Sequence, residues 1–109
     1  MTERQSKVRE EMIKIAGDFI SREANRNNLV TVTDASISPD LKQTTIFISV
    51  FPNDNEQGAL AFLKRRRNDF RSFVKQRISF KVLPFVDFKI DEGEKNRQRI
   101  EEILHAEEA

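Results

Sequence analysis

Between residues 2 and 26 the apolar positions Val8, Met12, Ile15, Ala16, Phe19 and Ile20 recur at intervals of three and four, with charged residues between them. That spacing predicts one long helix with a single buried face. Asn25-Arg26-Asn27-Asn28 should stop it, because asparagine tolerates a left-handed helix end and competes for backbone hydrogen bonds. Gly17 lies inside the predicted helix, at a cost of about 1 kcal/mol relative to alanine. Either a close backbone crossing or a tolerated defect accounts for it.

Leu29 to Ser38 alternates and is rich in β-branched residues, as strands are. Its phase slips at Asp34: Val30 and Val32 face one way by count, Ala35 and Ile37 the other. A β-bulge near Thr33-Asp34 reconciles the two halves. Pro39-Asp40-Leu41-Lys42 is turn chemistry. Thr44 to Phe51 is the clearest strand, with Ile46, Ile48 and Val50 on one face. The short connection predicts an antiparallel hairpin. Pro52-Asn53-Asp54-Asn55 ends it, and Asp54 or Asn55 can cap the next helix.

That helix opens with Ala59, Leu60, Phe62 and Leu63 and then loses its apolar stripe. Six polar residues run from Lys64 to Asp69 before the pattern resumes at Phe70, Phe73, Val74 and Ile78. Nearly two turns without a buried position predict a bend among Arg66, Arg67 and Asn68, with Asn68 expected to leave right-handed geometry. A continuous exposed helix is the alternative. Phe80 to Ile90 predicts the last strand, with Phe80, Val82, Pro84, Val86, Phe88 and Ile90 facing the helices. Pro84 lacks a ladder donor, so an edge strand or a bulge is expected. A long helical crossover should return this strand to the same sheet. A short acidic helix over about 94–106 follows, with Ile100, Ile103 and Leu104 as its apolar positions. The predicted order is α, β, β, α, bend, α, β and a short C-terminal helix. It makes an α+β fold with three strands backed by helices on one face.

At 109 residues the chain is expected to be one domain, residues 1–109. Its net charge of +1 hides a steep asymmetry. Residues 64–81 hold eight Lys or Arg and one acid, and the other residues hold eleven bases and seventeen acids. A cationic helix on a rigid domain is the electrostatic footprint of a nucleic-acid binder, and a solubilising face is the plain alternative. The candidate RNA-binding residues are Lys64, Arg65, Arg66, Arg67, Arg71, Ser72, Lys75, Arg77 and Lys81. Arg71, Ser72 and Lys75 lie together at helical spacing, so one phosphate backbone could run along them. With no Trp, no Tyr and nine Phe, the aromatics are expected mainly in the core. A row of exposed rings for single-stranded RNA is not expected.

Other chemistry has little to stand on. There is no cysteine, hence no disulfide and no thiolate metal site. No apolar run approaches a membrane span, and the N-terminal residues do not resemble a secretory or transit signal, so a cytoplasmic location is expected. His105 is the single histidine and falls in the acidic terminal segment. Asp87 and Asp91 could face one another at a strand end, but a lone carboxylate pair is thin ground for acid–base or metal work. No enzyme activity, cofactor, metal or small-molecule substrate is expected. A protein–protein adaptor with a basic helix, or a generic RNA-binding module, is the competing class.

Val30-Thr31-Val32-Thr33-Asp34, Ser38-Pro39-Asp40-Leu41 and the strand Thr45–Val50, in this order, resemble the first half of the bacterial ribosome-binding factor A family. The second half is similar through Phe70-Arg71-Ser72, Leu83-Pro84-Phe85-Val86-Asp87-Phe88, Asp91 and Arg99-Ile100. The resemblance runs in register from about Val8 to Leu104. It implies a K-homology-like domain of the second topology that lacks the Gly-x-x-Gly loop. It also implies binding to the small ribosomal subunit and its ribosomal RNA during late maturation and processing, with importance in the cold; a monomer is expected. Two departures stand out. Members of the family bend the helix pair at Ala-x-Gly, where this sequence has Arg66-Arg67-Asn68. Many also carry a longer charged C-terminal tail, whereas this sequence ends at Ala109.

Overall fold

The computed structural model describes residues 2–23, 29–78, 83–93, 97, 100, 101, 103 and 104. Its elements are α1 (Glu3–Glu23), β1 (Leu29–Ile37), β2 (Gln43–Phe51), α2 (Glu56–Arg65), α3 (Arg67–Arg77) and β3 (Phe85–Ile90). Asn25 to Asn28, Phe80 to Val82 and most of the expected C-terminal helix lie outside the described residues. Within that helix, residues 97, 100, 101, 103 and 104 are helical.

The start of α1 is fixed by a reciprocal cap. The Thr2 hydroxyl accepts the Gln5 N–H at 3.1 Å, and the Gln5 side-chain carbonyl accepts the Thr2 N–H at 3.0 Å, satisfying donors a helix leaves unpaired. Gln5 is itself buried, its amide donating to the Ile37 carbonyl at 3.2 Å. Below it Met12, Ile15, Ala16, Phe19 and Ile20 are buried as the stripe requires, with Val8 packed at the margin. Gly17 faces open space: a Cβ built there meets nothing within 4 Å. A tolerated defect, not a backbone crossing, therefore explains this glycine.

The three strands run β1-β2-β3 across one sheet. β1 and β2 pair antiparallel, from Leu29 opposite Phe51 to Ile37 opposite Thr44, and the register shifts between Val32 and Asp34. The bulge is clamped from α1. Arg9 pairs with the Asp34 carboxylate and donates from Nε to the Ala35 carbonyl at 3.0 Å. Thr33, the extra residue, donates its hydroxyl to the Asp91 carboxylate at 2.5 Å. β3 pairs parallel to β2, from Phe85 beside Gln43 to Ile90 beside Ile48, so the helical crossover does return to the same sheet. β3 is an edge, and Pro84 sits just before its first residue, where no ladder donor is needed.

Phe70 ties the layers together. It is fully buried, with its ring centroid 5.2 Å from Phe19 of α1 and 5.5 Å from Phe88 of β3. Edge-on and tilted ring pairs of this kind are favourable beyond the area they bury. Leu63, Val74, Ile46, Ile48 and Val86 complete the centre of the core.

Two local expectations are corrected. Asn55 takes the cap position of α2 but makes no side-chain capping bond. A 3-10 turn over Asn53–Asn55 leads into the helix instead, and the Asn55 side-chain oxygen occupies space that a Cβ at Gly58 would enter, 2.6 Å away. The break between α2 and α3 is at Arg66, with φ −98° and ψ 11°, not at Asn68. The Arg66 N–H bonds the Leu63 carbonyl at 3.0 Å, tightening the last turn, while its own carbonyl accepts the Phe70 N–H at 2.9 Å and starts α3 at once. No positive φ is used: among the described residues the only non-glycine with one is Leu41, in the hairpin turn. Asn68 lies inside α3.

Candidate nucleic-acid interface

α3 buries Phe70 and Val74, and a helix turning 100° per residue distributes its other side chains by that constraint. The cations of residues 64–77 consequently fall into three groups. Lys64, Arg67 and Arg71 reach toward β3, Arg66 and Arg77 reach toward α1, and Arg65 and Lys75 stand exposed on the outer surface.

On the β3 side, Arg67 and Lys64 approach the same Asp87 oxygen at 3.4 and 3.8 Å. Arg71 donates from Nε to the Pro84 carbonyl at 3.1 Å and from Nη2 to the Leu83 carbonyl at 3.3 Å. On the α1 side, one Arg66 nitrogen lies 3.4 Å from Glu23 and 3.5 Å from Asp69, with its guanidinium 5.0 Å from the Phe62 ring centroid. Arg77 pairs with Asp18 at 3.6 Å and stacks 3.4 Å from the Phe73 centroid, where Arg22 also stands at 5.5 Å. Arg65 and Lys75 have no ion-pair partner among the described residues.

These pairs lower the charge of the surface without cancelling it. Of the seven cations of residues 64–77, Lys64, Arg66, Arg67 and Arg77 meet the four carboxylates of Asp18, Glu23, Asp69 and Asp87, and Arg65, Arg71 and Lys75 remain as three positive charges in excess. The paired side chains are all more than a quarter exposed, and solvent-accessible pairs of this kind contribute about 0–1 kcal/mol each. A phosphate arriving at this surface can therefore displace a carboxylate at little cost.

The expected RNA-facing residues have different surroundings in the structure. Arg71 is half-buried and braces α3 against the approach to β3. Ser72 does not share its surroundings: it lines a cleft of about 350 Å³ between α1 and α3, with Arg22, Phe73 and Arg77 among the other walls. Arg71 and Ser72 thus have different neighbours, and Lys75 stands between them on the outer surface of α3. Lys81 lies outside the described residues. Asp87 and Asp91 are engaged separately, with Lys64 and Arg67 in one case and Thr33 in the other. Among the described residues no group of three or more His, Cys, Asp or Glu is placed to hold a metal, and no helix is long and apolar enough to cross a membrane.

Among the described residues, two exposed phenylalanines, Phe51 and Phe85, were missed, and the second borders the basic surface. Phe85 is 56% exposed and stands beside the cations, with the Arg67 guanidinium 5.8 Å from its centroid. Lys64, Arg65, Arg67, Asn68, Arg71, Phe85 and Val86 line a cleft of about 150 Å³ there. Strand parity carried the signal, since Phe85 alternates with the buried Pro84 and Val86.

The fold and this surface can be set beside known proteins. The crystal structure of ribosome-binding factor A from Thermus thermophilus superposes with a TM-score of 0.71 at 20% identity, covering 79% of this chain and 94% of that one. A solution structure of a Thermotoga maritima protein, provisionally assigned as a ribosome binding factor A, gives 0.68 at 20% identity over 80% and 86%. A Thermus thermophilus ribosome binding factor A model fitted into a cryo-electron-microscopy map of a 30S complex gives 0.65 at 21% over 74% and 88%. At these identities the likeness establishes the shared α+β fold, consistent with the K-homology-like arrangement. The family model described as ribosome-binding factor A matches residues 4–104, and the chain therefore belongs to the ribosome-binding factor A family.

Proposed function

We propose that this protein binds the immature small ribosomal subunit through the outer surface of α2 and α3 and assists late maturation of its ribosomal RNA without catalysing a reaction. The observation that carries this reading is the excess of cations at the α2–α3 corner, with Arg65 and Lys75 exposed and unpaired among the described residues. Family membership and a relative fitted into a 30S complex support it.

Phosphates are the groups such a surface recognises. Each contact releases condensed counterions, so affinity falls steeply with salt. Ribosomal RNA helices present shape and 2′-hydroxyls more readily than base edges, which favours shape readout. The acidic residues outside the α2–α3 corner would be repelled, so the domain docks with one face inward. Bound as a monomer, it holds RNA in a non-final arrangement and leaves when maturation removes its site.

Sucrose-gradient fractionation of cells tests this. The protein should travel with free small subunits and be scarce on complete ribosomes. Migration only in the soluble protein fractions, or with an acidic protein partner, would replace this reading with the adaptor.

A further inference from the structure

The cleft between the α2–α3 corner and the start of β3 has an exposed aromatic residue, Phe85, in its lining, whereas Phe73, in the cleft on the α1 side, is half-buried beneath Arg77. Phe85 opens an edge strand, and its backbone is fixed by an N–H bond to the Lys42 carbonyl at 2.8 Å. The residue is 56% exposed, although burying a phenylalanine would contribute about 1.5–3 kcal/mol. The cations are held in place around it. Asp87, two residues along the strand, holds Arg67 at 3.4 Å and Lys64 at 3.8 Å, and Arg67 stands 5.8 Å from the ring centroid. Arg65 and Asn68 are exposed at the rim. A volume of about 150 Å³ is of the order that accommodates one six-membered ring.

We propose that this cleft binds a single unpaired nucleotide of RNA, its base stacked on Phe85 and its flanking phosphates held by Lys64 and Arg65. This rests on the RNA-binding reading above and adds a preference to it. Every base has a π-face, so stacking tolerates any sequence, but a fully paired helix has no face to offer. The site therefore selects bulged or looped-out positions over continuous duplex. Asp87 keeps the phosphates off the floor of the cleft and leaves them to the rim, where Arg65 has no carboxylate partner among the described residues.

The test uses the full chain and three fluorescent RNA hairpins: one fully paired, one with a single bulged uridine, and one with an abasic site at the bulge. The protein should bind the bulged hairpin about ten-fold more tightly than the other two, the scale of losing one stack. Phe85→Ala should remove that preference while leaving affinity for the paired hairpin unchanged, and Phe85→Tyr should retain it. Equal binding of the three hairpins by the unaltered protein, or a preference that survives Phe85→Ala, overturns the stacking site and leaves the basic surface standing. Absence of binding to all three at low salt overturns both.

Discussion

Arg71 donates its Nε hydrogen to the Pro84 carbonyl at 3.1 Å, joining the middle of α3 to the residue that precedes β3. A second bond, to the Leu83 carbonyl at 3.3 Å, uses the fork of the same guanidinium. Arg71→Ala should therefore act on stability, lowering it by about 1–2 kcal/mol, the range for charge-assisted bonds at a half-exposed site. Arg71→Lys should recover only part of this, because an ammonium cannot span two carbonyls as a planar fork does. Urea denaturation of both variants checks it; an unchanged midpoint for the alanine variant would show that the brace is not needed.

Arg65 and Lys75 should behave in the opposite way. Neither is paired among the described residues, so Arg65→Ala and Lys75→Ala should leave stability within about 0.5 kcal/mol. Their effect should fall on RNA affinity instead. Each should reduce the slope of log affinity against log salt by about one, as expected for loss of one phosphate contact. Binding isotherms at four or five salt concentrations measure this directly.

Gly17 offers a gain. Its position in α1 is open on the side a methyl group would occupy, so Gly17→Ala should stabilise the fold by about 1 kcal/mol through helix propensity and a less flexible unfolded chain. A domain of this size should show it as a rise in melting temperature of several degrees. A fall would mean that Gly17 is needed for something its surroundings do not reveal.

In the hairpin turn, the Asp40 carboxylate accepts the Ser38 hydroxyl at 2.6 Å and the Lys42 N–H at 3.0 Å. Both bonds favour the charged form, the Ser38 hydroxyl most, and hold the Asp40 pKa below its ordinary value. The contribution of the turn is therefore complete above the unfolded-state pKa of about 3.9 and is lost as pH falls through the lower folded value. Ser38→Ala should raise the Asp40 pKa toward the ordinary range. Carboxyl chemical shifts followed through an acid titration read this out.

Where burial follows a simple period, the fold was legible. Ile46, Ile48 and Val50 announce β2, and the slip at Asp34 announces the bulge, because a phase change in a strand has few structural solutions. The bend was legible in extent but not in residue. Asn68 looked suitable because asparagine tolerates positive φ, yet the chain turned at Arg66 with negative φ and a tightened last turn, geometry open to most side chains. Gln5 was missed because a polar residue in an apolar register reads as the end of the stripe, when here a cap and the Ile37 carbonyl satisfy it. Charge counting found the basic segment but not its division. Asp18, Glu23 and Asp87 reach it from distant parts of the sequence, and only the packing of α1 and β3 against α3 brings them there. Phe85 was passed over because a run of phenylalanines suggested core, although its parity pointed outward.

The central claim is that the outer cations of α2 and α3 bind small-subunit RNA. Co-sedimentation of the purified protein with small ribosomal subunits across a salt series, beside the double variant Arg65→Glu/Lys75→Glu, tests it most directly. The account predicts tight association at low salt that declines steeply as salt rises, and little association of the variant at any salt. Association indifferent to salt, or equal for variant and parent, would contradict it.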